Sequence, residues 1–376
     1  MEMPEQITMG PVLLTGGNGF IAYHIIGKIL EANPQCVIHS LDIDTTRNRR
    51  EGFVNLHYHK ADISVAEDVQ RIVRLAKPRT IFHTASPEFS DAPVSAYYSI
   101  LVEGTRYLVD AAFQLDTVRA LIYTSSSSVI HDNVSDLVNA TEEMPILRPP
   151  LQKRIYSLAK ADAEELILDA NRRRHIGGRI ILTCVLRPSL VFGENDVSSL
   201  GKMVAVARQG RSRFQMGDGQ NLFDFVYAGN LADAHLLAAR AMLAANGQNP
   251  HPADAPAVDG ECFNITNDDP WLFWDFQRAI SARVGLPVSP EDIIVIPKWV
   301  GLAMGFISEW VVWAWSWGSR GPNMTQEGIR FSTMIRTLSV EKAKRVLGYK
   351  PVVSMEEGLD RSVRWFLNEY KKERYV

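Results

Sequence analysis

The spacing with the clearest chemical content is Tyr156-Ser157-Leu158-Ala159-Lys160, because four residues along a helix bring a phenol and an ammonium to one face. A free phenol has a pKa of about 10, so it needs a neighbouring cation before it can accept a proton near neutral pH. Lys160 is the expected source of that help. A tyrosine and a lysine four apart also occur by chance in many helices; this pair gains weight from following five repeats of strand and helix. Upstream, Leu121-Ile122-Tyr123-Thr124 reads as a strand that runs directly into Ser125-Ser126-Ser127-Ser128. Hydroxyls at the carboxyl end of a strand lie where open parallel sheets bind ligands, placed to hold the oxygen whose proton the tyrosine moves.

A second constellation is Thr15-Gly16-Gly17-Asn18-Gly19-Phe20-Ile21-Ala22, with a strand before it and a helix after it. Glycines let the backbone turn sharply and approach a pyrophosphate at the positive end of the following helix. Such a turn alone is often only a turn, but Asp42 closes the next strand about 20 residues further on. A carboxylate there accepts hydrogen bonds from both adenosine ribose hydroxyls and repels a 2'-phosphate, so NAD is expected over NADP. Asp44 and the cations Arg47, Arg49 and Arg50 stand close enough to change that preference if the register differs. Asp62-Ile63 follows the third strand, where an acid reaches the adenine amino group and an apolar neighbour packs on the ring.

These residues need a scaffold, and the hydrophobic pattern supplies one. Apolar runs at 12–15, 36–41, 55–60, 80–83, 120–124 and 179–186 alternate with helical stretches such as 20–31, 97–115 and 156–172. Repeated βα units predict a Rossmann-type, doubly wound α/β parallel sheet with helices on both faces. From Gly193 the character changes: helices are expected at 201–210 and 231–244, a strand at 223–227, a loop at 247–260, and two amphipathic helices around a proline turn in the tail. The expected organisation is a mainly dinucleotide-binding domain over 1–192, with some elements returning from 223–245. A smaller, mainly helical substrate domain is expected over 193–376.

Composition removes other classes. Hydrophobic residues make up 46% and charged residues 22%, with a net charge of -3 and no basic run long enough to track a phosphate backbone, so nucleic acid is not an expected partner. Cys36, Cys184 and Cys262 are too scattered for a disulfide framework or thiolate metal site, which fits a reducing compartment. His57 and His59 share a strand face without a third ligand nearby, and no metal is expected. Residues 1–9 lack the basic and apolar regions of a secretory signal, which points to the cytosolic side. Neither a Gly-x-Ser-x-Gly elbow nor a Gly-Lys-Ser/Thr phosphate loop is present.

Residues 296–317, IPKWVGLAMGFISEWVVWAWSW, hold five of the eight tryptophans and only two charges, Lys298 and Glu309. Glu309 near the centre would cost roughly 2.5–3.5 kcal/mol in a bilayer, and Gly301 and Gly305 weaken the helix, so spanning is disfavoured. Peripheral membrane contact through 299–317 and a wall of a substrate pocket are the remaining readings.

With these residues placed, the chain resembles the 3β-hydroxysteroid dehydrogenase branch of the extended short-chain dehydrogenases nearly end to end. The likeness rests on TGGNGFIAYHII, Asp42, HKADIS, HTASPEF, VEGT, YTSSSSV, YSLAK, LRPSLVFGEND and, most specifically, FQMGDGQNLFDFVYAGNLADAHLLAA. It implies a dinucleotide site made of Gly16, Gly17, Asn18, Gly19, Phe20, Ile21, Asp42, Asp62, Ile63, Ala85, Ser86, Tyr156, Lys160 and Pro188. It also implies Tyr156 as proton donor or acceptor, with Ser126 assisting. By the same resemblance the substrate is a polycyclic lipid: a 3β-hydroxyl on a sterol or triterpenoid, foremost a 4α-carboxysterol that loses CO2 on oxidation. A plain dehydrogenase or isomerase acting on a triterpene or meroterpenoid is the runner-up, and a non-catalytic NAD sensor a distant third. Placement on the endoplasmic reticulum membrane and a homodimer are further expectations. Two positions depart from the usual pattern: Ala22 replaces the third glycine, and Leu101 stands where an asparagine commonly ties backbone together near the active site.

Overall fold

Val12, Leu13 and Leu14 are all fully buried, which a strand permits only when both faces of its sheet are covered. In the computed structural model, which describes residues 8–87, 93–246, 257–317, 321–322 and 324–369, seven such strands align. They are β1 (Val12–Thr15), β2 (Ile38–Asp42), β3 (Leu56–Lys60), β4 (Thr80–His83), β5 (Ala120–Thr124), β6 (Leu182–Pro188) and β7 (Cys262–Ile265). Neighbours are parallel throughout, in the order β7-β6-β5-β4-β1-β2-β3.

Alternation along each strand sorts the two layers. Val12 and Leu14 pack with Ile25 and Ile29 of the Phe20–Ala32 helix and with Ala234 and Ala238 of the Ala228–Asn246 helix. Leu13 faces the other way, toward Val69, Leu108 and Ile167 on the Ala66–Ala76, Gly104–Phe113 and Ile155–Asp169 helices. The expected doubly wound sheet is therefore observed. Its order reverses between β1 and β4, and such a reversal opens a crevice beyond the carboxyl ends of the strands.

Several boundaries differ from the sequence reading. β2 ends on Asp42 itself and β6 on Pro188, so both residues sit at the sheet edge. The helix expected over 97–115 is broken by a π-helical segment, Tyr98–Glu103. The strand expected over 223–227 splits at Asp224, because that residue joins a different strand. Its N–H donates to Arg336 O at 2.8 Å, and its Oδ2 accepts from Leu338 N at 2.7 Å. The result is a separate four-stranded sheet in the order Trp271–Leu272, Leu222–Phe223, Arg336–Leu338, Leu137–Ala140. Most of the loop expected over 247–260, much of the N-terminal segment, and Glu88 and Phe89 of HTASPEF lie outside the described residues.

A third apolar cluster, including Phe223, Phe225, Phe276, Leu359 and Phe366, joins the Ser199–Arg208, Phe273–Arg283 and Met355–Asn368 helices. Phe225 and Phe276 stack with ring centroids 3.8 Å apart. This cluster places the Arg336–Leu338 strand against the mouth of the crevice.

Candidate active site

The crevice holds two contiguous chambers of about 310 and 380 Å³, which share Gly16, Gly19, Phe20, Ser86 and Asp196 on their walls. Each falls in the size range of a small-ligand pocket.

The larger chamber is built by the glycine turn and the ends of β2 and β3. Gly16 has φ +63°, and a Cβ there would stand 2.7 Å from Ala85 Cα, so only glycine lets β1 and the end of β4 close up this way. Asp42 accepts from Asn18 N and Asp44 N, each at 3.0 Å. Asp62 accepts from Ser64 N and Oγ, with Ile63 beside it on the wall. Arg47 lines the chamber but pairs with Asp44 at 3.0 Å, while Arg49 and Arg50 lie over the Tyr58 and Tyr23 rings. A glycine cradle at a helix N-terminus, with a carboxylate at the end of the next strand, fits a dinucleotide with a free 2'-hydroxyl. Gly17 is not on the wall; its N–H donates to Leu41 O at 3.1 Å, behind the turn.

The smaller chamber brings together Ser126, Tyr156, Lys160, Ser86, Ile21 and Pro188. Tyr156 leaves the first turn of the Ile155–Asp169 helix and is hydrogen-bonded to Ser126. The four serines have four fates: Ser125 donates to Glu164 at 2.6 Å, Ser126 meets Tyr156, Ser127 accepts from Arg336 at 3.0 Å, and Ser128 Oγ has no partner among the described residues. Geometry thus separates Ser126 from its neighbours, which spacing does not do.

Lys160 has a hydrogen-bond partner other than the phenol. Its Nζ donates to Thr124 O at 2.8 Å and stands 6.0 Å from the Tyr156 ring. Burial pushes Tyr156 up to about 12, opposed first by the Ser126 hydrogen bond and then by the charges of Arg154 and Arg336. Lys160 itself is pushed down to about 7 by burial, with Glu164 holding it up. The cations that favour the phenolate are therefore arginines, and neither stands out in the sequence. Arg154 precedes the helix, where proximity to Tyr156 is the signal that could have found it; Arg336 lies 180 residues away on a three-residue strand, with no local signal.

Leu101 is fully buried against Tyr97 and Ala159, so apolar packing fills the place of the missing amide. Its carbonyl accepts from Thr105 Oγ1, and Thr105 bonds His83 Nε2 at 2.8 Å. The π-helical segment around Leu101 widens the backbone here, as such segments do at functional sites. The strand face with His57 and His59 gains His39 from β2, at 2.9 Å from His59. Among the described residues no group of three or more such ligands has metal-holding geometry.

None of residues 299–317 lines either chamber; the Lys298–Ser316 helix packs on the Gln326–Phe331 helix, whose Phe331 is on the wall. No helix among the described residues is long and apolar enough to cross a membrane.

Fold and site together define a Rossmann-type protein with a tyrosine, lysine and serine at the mouth of a dinucleotide crevice. The sequence profile of the 3-beta hydroxysteroid dehydrogenase/isomerase family matches residues 13–295, and the chain belongs to that family. Sterol-4-alpha-carboxylate 3-dehydrogenase, decarboxylating, of Saccharomyces cerevisiae is 34% identical over 359 residues, covering 94% of this chain and 97% of its own. The Mus musculus protein of the same name is 29% identical, covering 93% and 89%. Among solved structures, UDP-glucose 4-epimerase of Thermotoga maritima superposes with a TM-score of 0.66 at 21% identity, covering 96% of this chain and 99% of its own. That likeness bears on the fold.

Proposed function

We propose that the chain is an NAD-dependent dehydrogenase of the 3β-hydroxyl of a sterol or triterpenoid, with a 4α-carboxysterol as substrate and a 3-ketone and CO2 as products. The observation that carries this is the Ser126–Tyr156 pair at the mouth of a crevice with the glycine turn and Asp42 behind it. Its relatives' names supply the substrate class. Residues 1–192 mainly hold the cofactor and 193–376 mainly the substrate.

Bound NAD supplies the hydride acceptor and a positive ring. Tyr156 takes the carbinol proton while Ser126 holds the same oxygen, and Lys160, fixed on Thr124 O, is placed for the nicotinamide ribose. The resulting β-keto acid breaks its C4–carboxylate bond; the electron pair moves into the C3 enolate, which the Tyr156 and Ser126 hydroxyls stabilise. C4 then regains a proton, so the proton taken from the hydroxyl balances the one added at carbon. The chamber must exclude water while this happens, and Phe331 with Leu190 and Val191 provides apolar walls.

The lipid reaches the site from a membrane surface that the Lys298–Ser316 helix contacts, with the endoplasmic reticulum as the expected membrane and a homodimer as the expected assembly. Exposed Trp299, Phe306, Ile307, Trp310 and Trp313 support this contact.

The test is incubation with NAD or NADP and a panel of 3β-hydroxysterols and triterpenes, with and without a 4α-carboxylate, reading reduced cofactor and product mass together. NADH with loss of 44 mass units is expected for the acids. NADH with a simple ketone would replace the decarboxylating reading by the plain dehydrogenase, and tight NAD binding without turnover would favour a sensor.

A further inference from the structure

Two buried arginines in this molecule are treated very differently. Arg187, in the core, forms a buried ion pair with Glu164 through both Nε and Nη2. Arg336, also buried, has among the described residues one side-chain hydrogen bond, to the neutral hydroxyl of Ser127, and its Nε has none. No carboxylate among the described residues pairs with it, and beyond its burial the charge that works against it is that of Arg154. Arg154 is half-exposed at the same wall and is itself bridged to Glu327 at 2.5 Å. A guanidinium withdrawn from water without a counter-ion is strongly unfavourable, so a fold that keeps one builds it for an anion that arrives later.

The surroundings say what kind of anion. Arg336 opens into the chamber that contains Tyr156 and Ser126, and its guanidinium carbon lies 5.9 Å from the centroids of both Phe223 and Phe331. Two aromatic rings flank the planar fork, whose paired N–H groups a carboxylate can match and a lysine in its place could not offer. Beside the hydroxyls, the same wall carries the apolar side chains of Leu190, Val191 and Phe331. They suit an acid carried on a hydrocarbon skeleton, with its carboxylate close to the carbon whose hydroxyl meets Tyr156.

We propose that Arg336, with Arg154 beside it, is the recognition group for the substrate's carboxylate, and that it is what makes this site prefer a hydroxy acid to the corresponding neutral alcohol. This rests on the dehydrogenase reading above and adds a residue and a selectivity to it. Arg336 is a specificity-determining and positioning residue: it holds the carboxylate on the carbon next to the carbinol and so fixes which hydroxyl reaches Tyr156. The hydride and proton transfers do not pass through it.

The experiment uses the full chain saturated with NAD and two ligands that bind without reacting, a 3-deoxy-4α-carboxysterol and its methyl ester. The wild type is expected to prefer the acid, and Arg336→Met to collapse that preference by roughly 10- to 100-fold, the range of a lost hydrogen-bonded charge contact. Arg336→Lys should restore part of it, since charge returns without the fork. NAD affinity, measured on each variant, should stay within threefold and also reports folding; if Arg336→Met does not fold, Arg336→Lys and Arg336→Gln carry the comparison. An acid preference unchanged in the variants, an equal loss for acid and ester, or a loss of NAD affinity larger than the loss for the acid would overturn the assignment. Because the ligands do not turn over, failure of the wild type to form NADH from any sterol would sink the dehydrogenase reading while leaving the carboxylate preference readable.

Discussion

Beside Asp42 the crevice is complete without a ligand: both Asp42 oxygens take backbone N–H groups, Asp62 takes Ser64, and Asn18 is held by Ser40 and Arg47. Beside Tyr156 it is not. Ser128 Oγ, Ser189 Oγ and Arg336 Nε, all on the wall of that chamber, are buried without hydrogen-bond partners. No residue on the other wall contributes to that set among the described residues. Buried polar groups are ordinarily satisfied, and these three, among twelve such atoms in the described residues, are placed where a ligand's own polar atoms could meet them. On the proposed function, the cofactor half recognises through a finished scaffold and the substrate half through what it leaves open.

The largest effect that should separate the halves is at Tyr156. Tyr156→Phe keeps the ring that packs against Tyr97 at 6.1 Å and removes only the hydroxyl proposed to move the proton. A loss of roughly 10²- to 10⁴-fold in kcat is expected, with NAD affinity held within a few-fold. Steady-state rates and calorimetric NAD binding check both; a large loss of NAD affinity would mean that the two halves are not separable.

Acid should act beneath both halves, at two buried histidines. His83 bridges Thr15 at 2.6 Å and Thr105 at 2.8 Å beneath the glycine turn, and burial holds it down to about 3. His235, bonded to Thr124 at 2.7 Å, is held by burial at about 4. Above pH 6.5 both are neutral in folded and unfolded chains and contribute nothing. Below it the unfolded chain takes protons that the folded one refuses, so stability falls by up to about 1.4 kcal/mol per pH unit for each histidine until the folded pKa is reached. Urea unfolding at pH 7, 6 and 5 should show this slope, and His235→Gln should flatten it by one histidine. A flat profile would mean that these imidazoles are not held neutral.

Smaller again is Asp42→Asn, which leaves the shape of the larger chamber and removes its charge. NAD affinity should fall roughly 10- to 100-fold while NADP improves relative to it. Fluorescence titration with both cofactors decides; an unchanged preference would assign discrimination to Asp44 and Arg47 instead.

The same contrast explains what can be read from the chain. Gly16, Asp42, Asp62 and Tyr156 sit at fixed offsets from strands and a helix, so hydrophobic periodicity by itself places them at the sheet's carboxyl edge. Ser126 is placed only to within a run of four hydroxyls, because the choice depends on Glu164 claiming Ser125 and Arg336 claiming Ser127. Arg336 itself is invisible to periodicity: its strand is three residues long, and its meaning comes from pairing with segments at 137–140 and 222–223. The effect of Lys160 escapes for a related reason, since spacing of four gives a shared face but not whether Thr124 O takes the ammonium.

The smallest effect concerns the surface through which a lipid would arrive, and here the Lys298–Ser316 helix inverts the usual pattern. Its inward stripe is small and polar: a Cβ on Gly305 would stand 2.8 Å from Gln326 N, and Glu309 accepts from Gln326 N at 2.8 Å and Nε2 at 2.9 Å. Glu309, which argues against a spanning helix, thus takes the first N–H of the Gln326–Phe331 helix, whose N-cap is Thr325, rather than facing lipid. What remains outside is apolar, with Trp310 and Trp313 each 57% exposed. A globular surface rarely leaves such a row uncovered, and tryptophan favours the membrane–water boundary. Trp310→Ser and Trp313→Ser should each lower binding to phospholipid vesicles by roughly five- to tenfold, from about 50 Å² of apolar area withheld from the bilayer. Turnover of detergent-dispersed substrate should not change. Vesicle flotation alongside a soluble assay separates the two outcomes: equal flotation of variants and wild type would remove the membrane from the account, and a fall in soluble turnover would return this helix to the substrate half of the site.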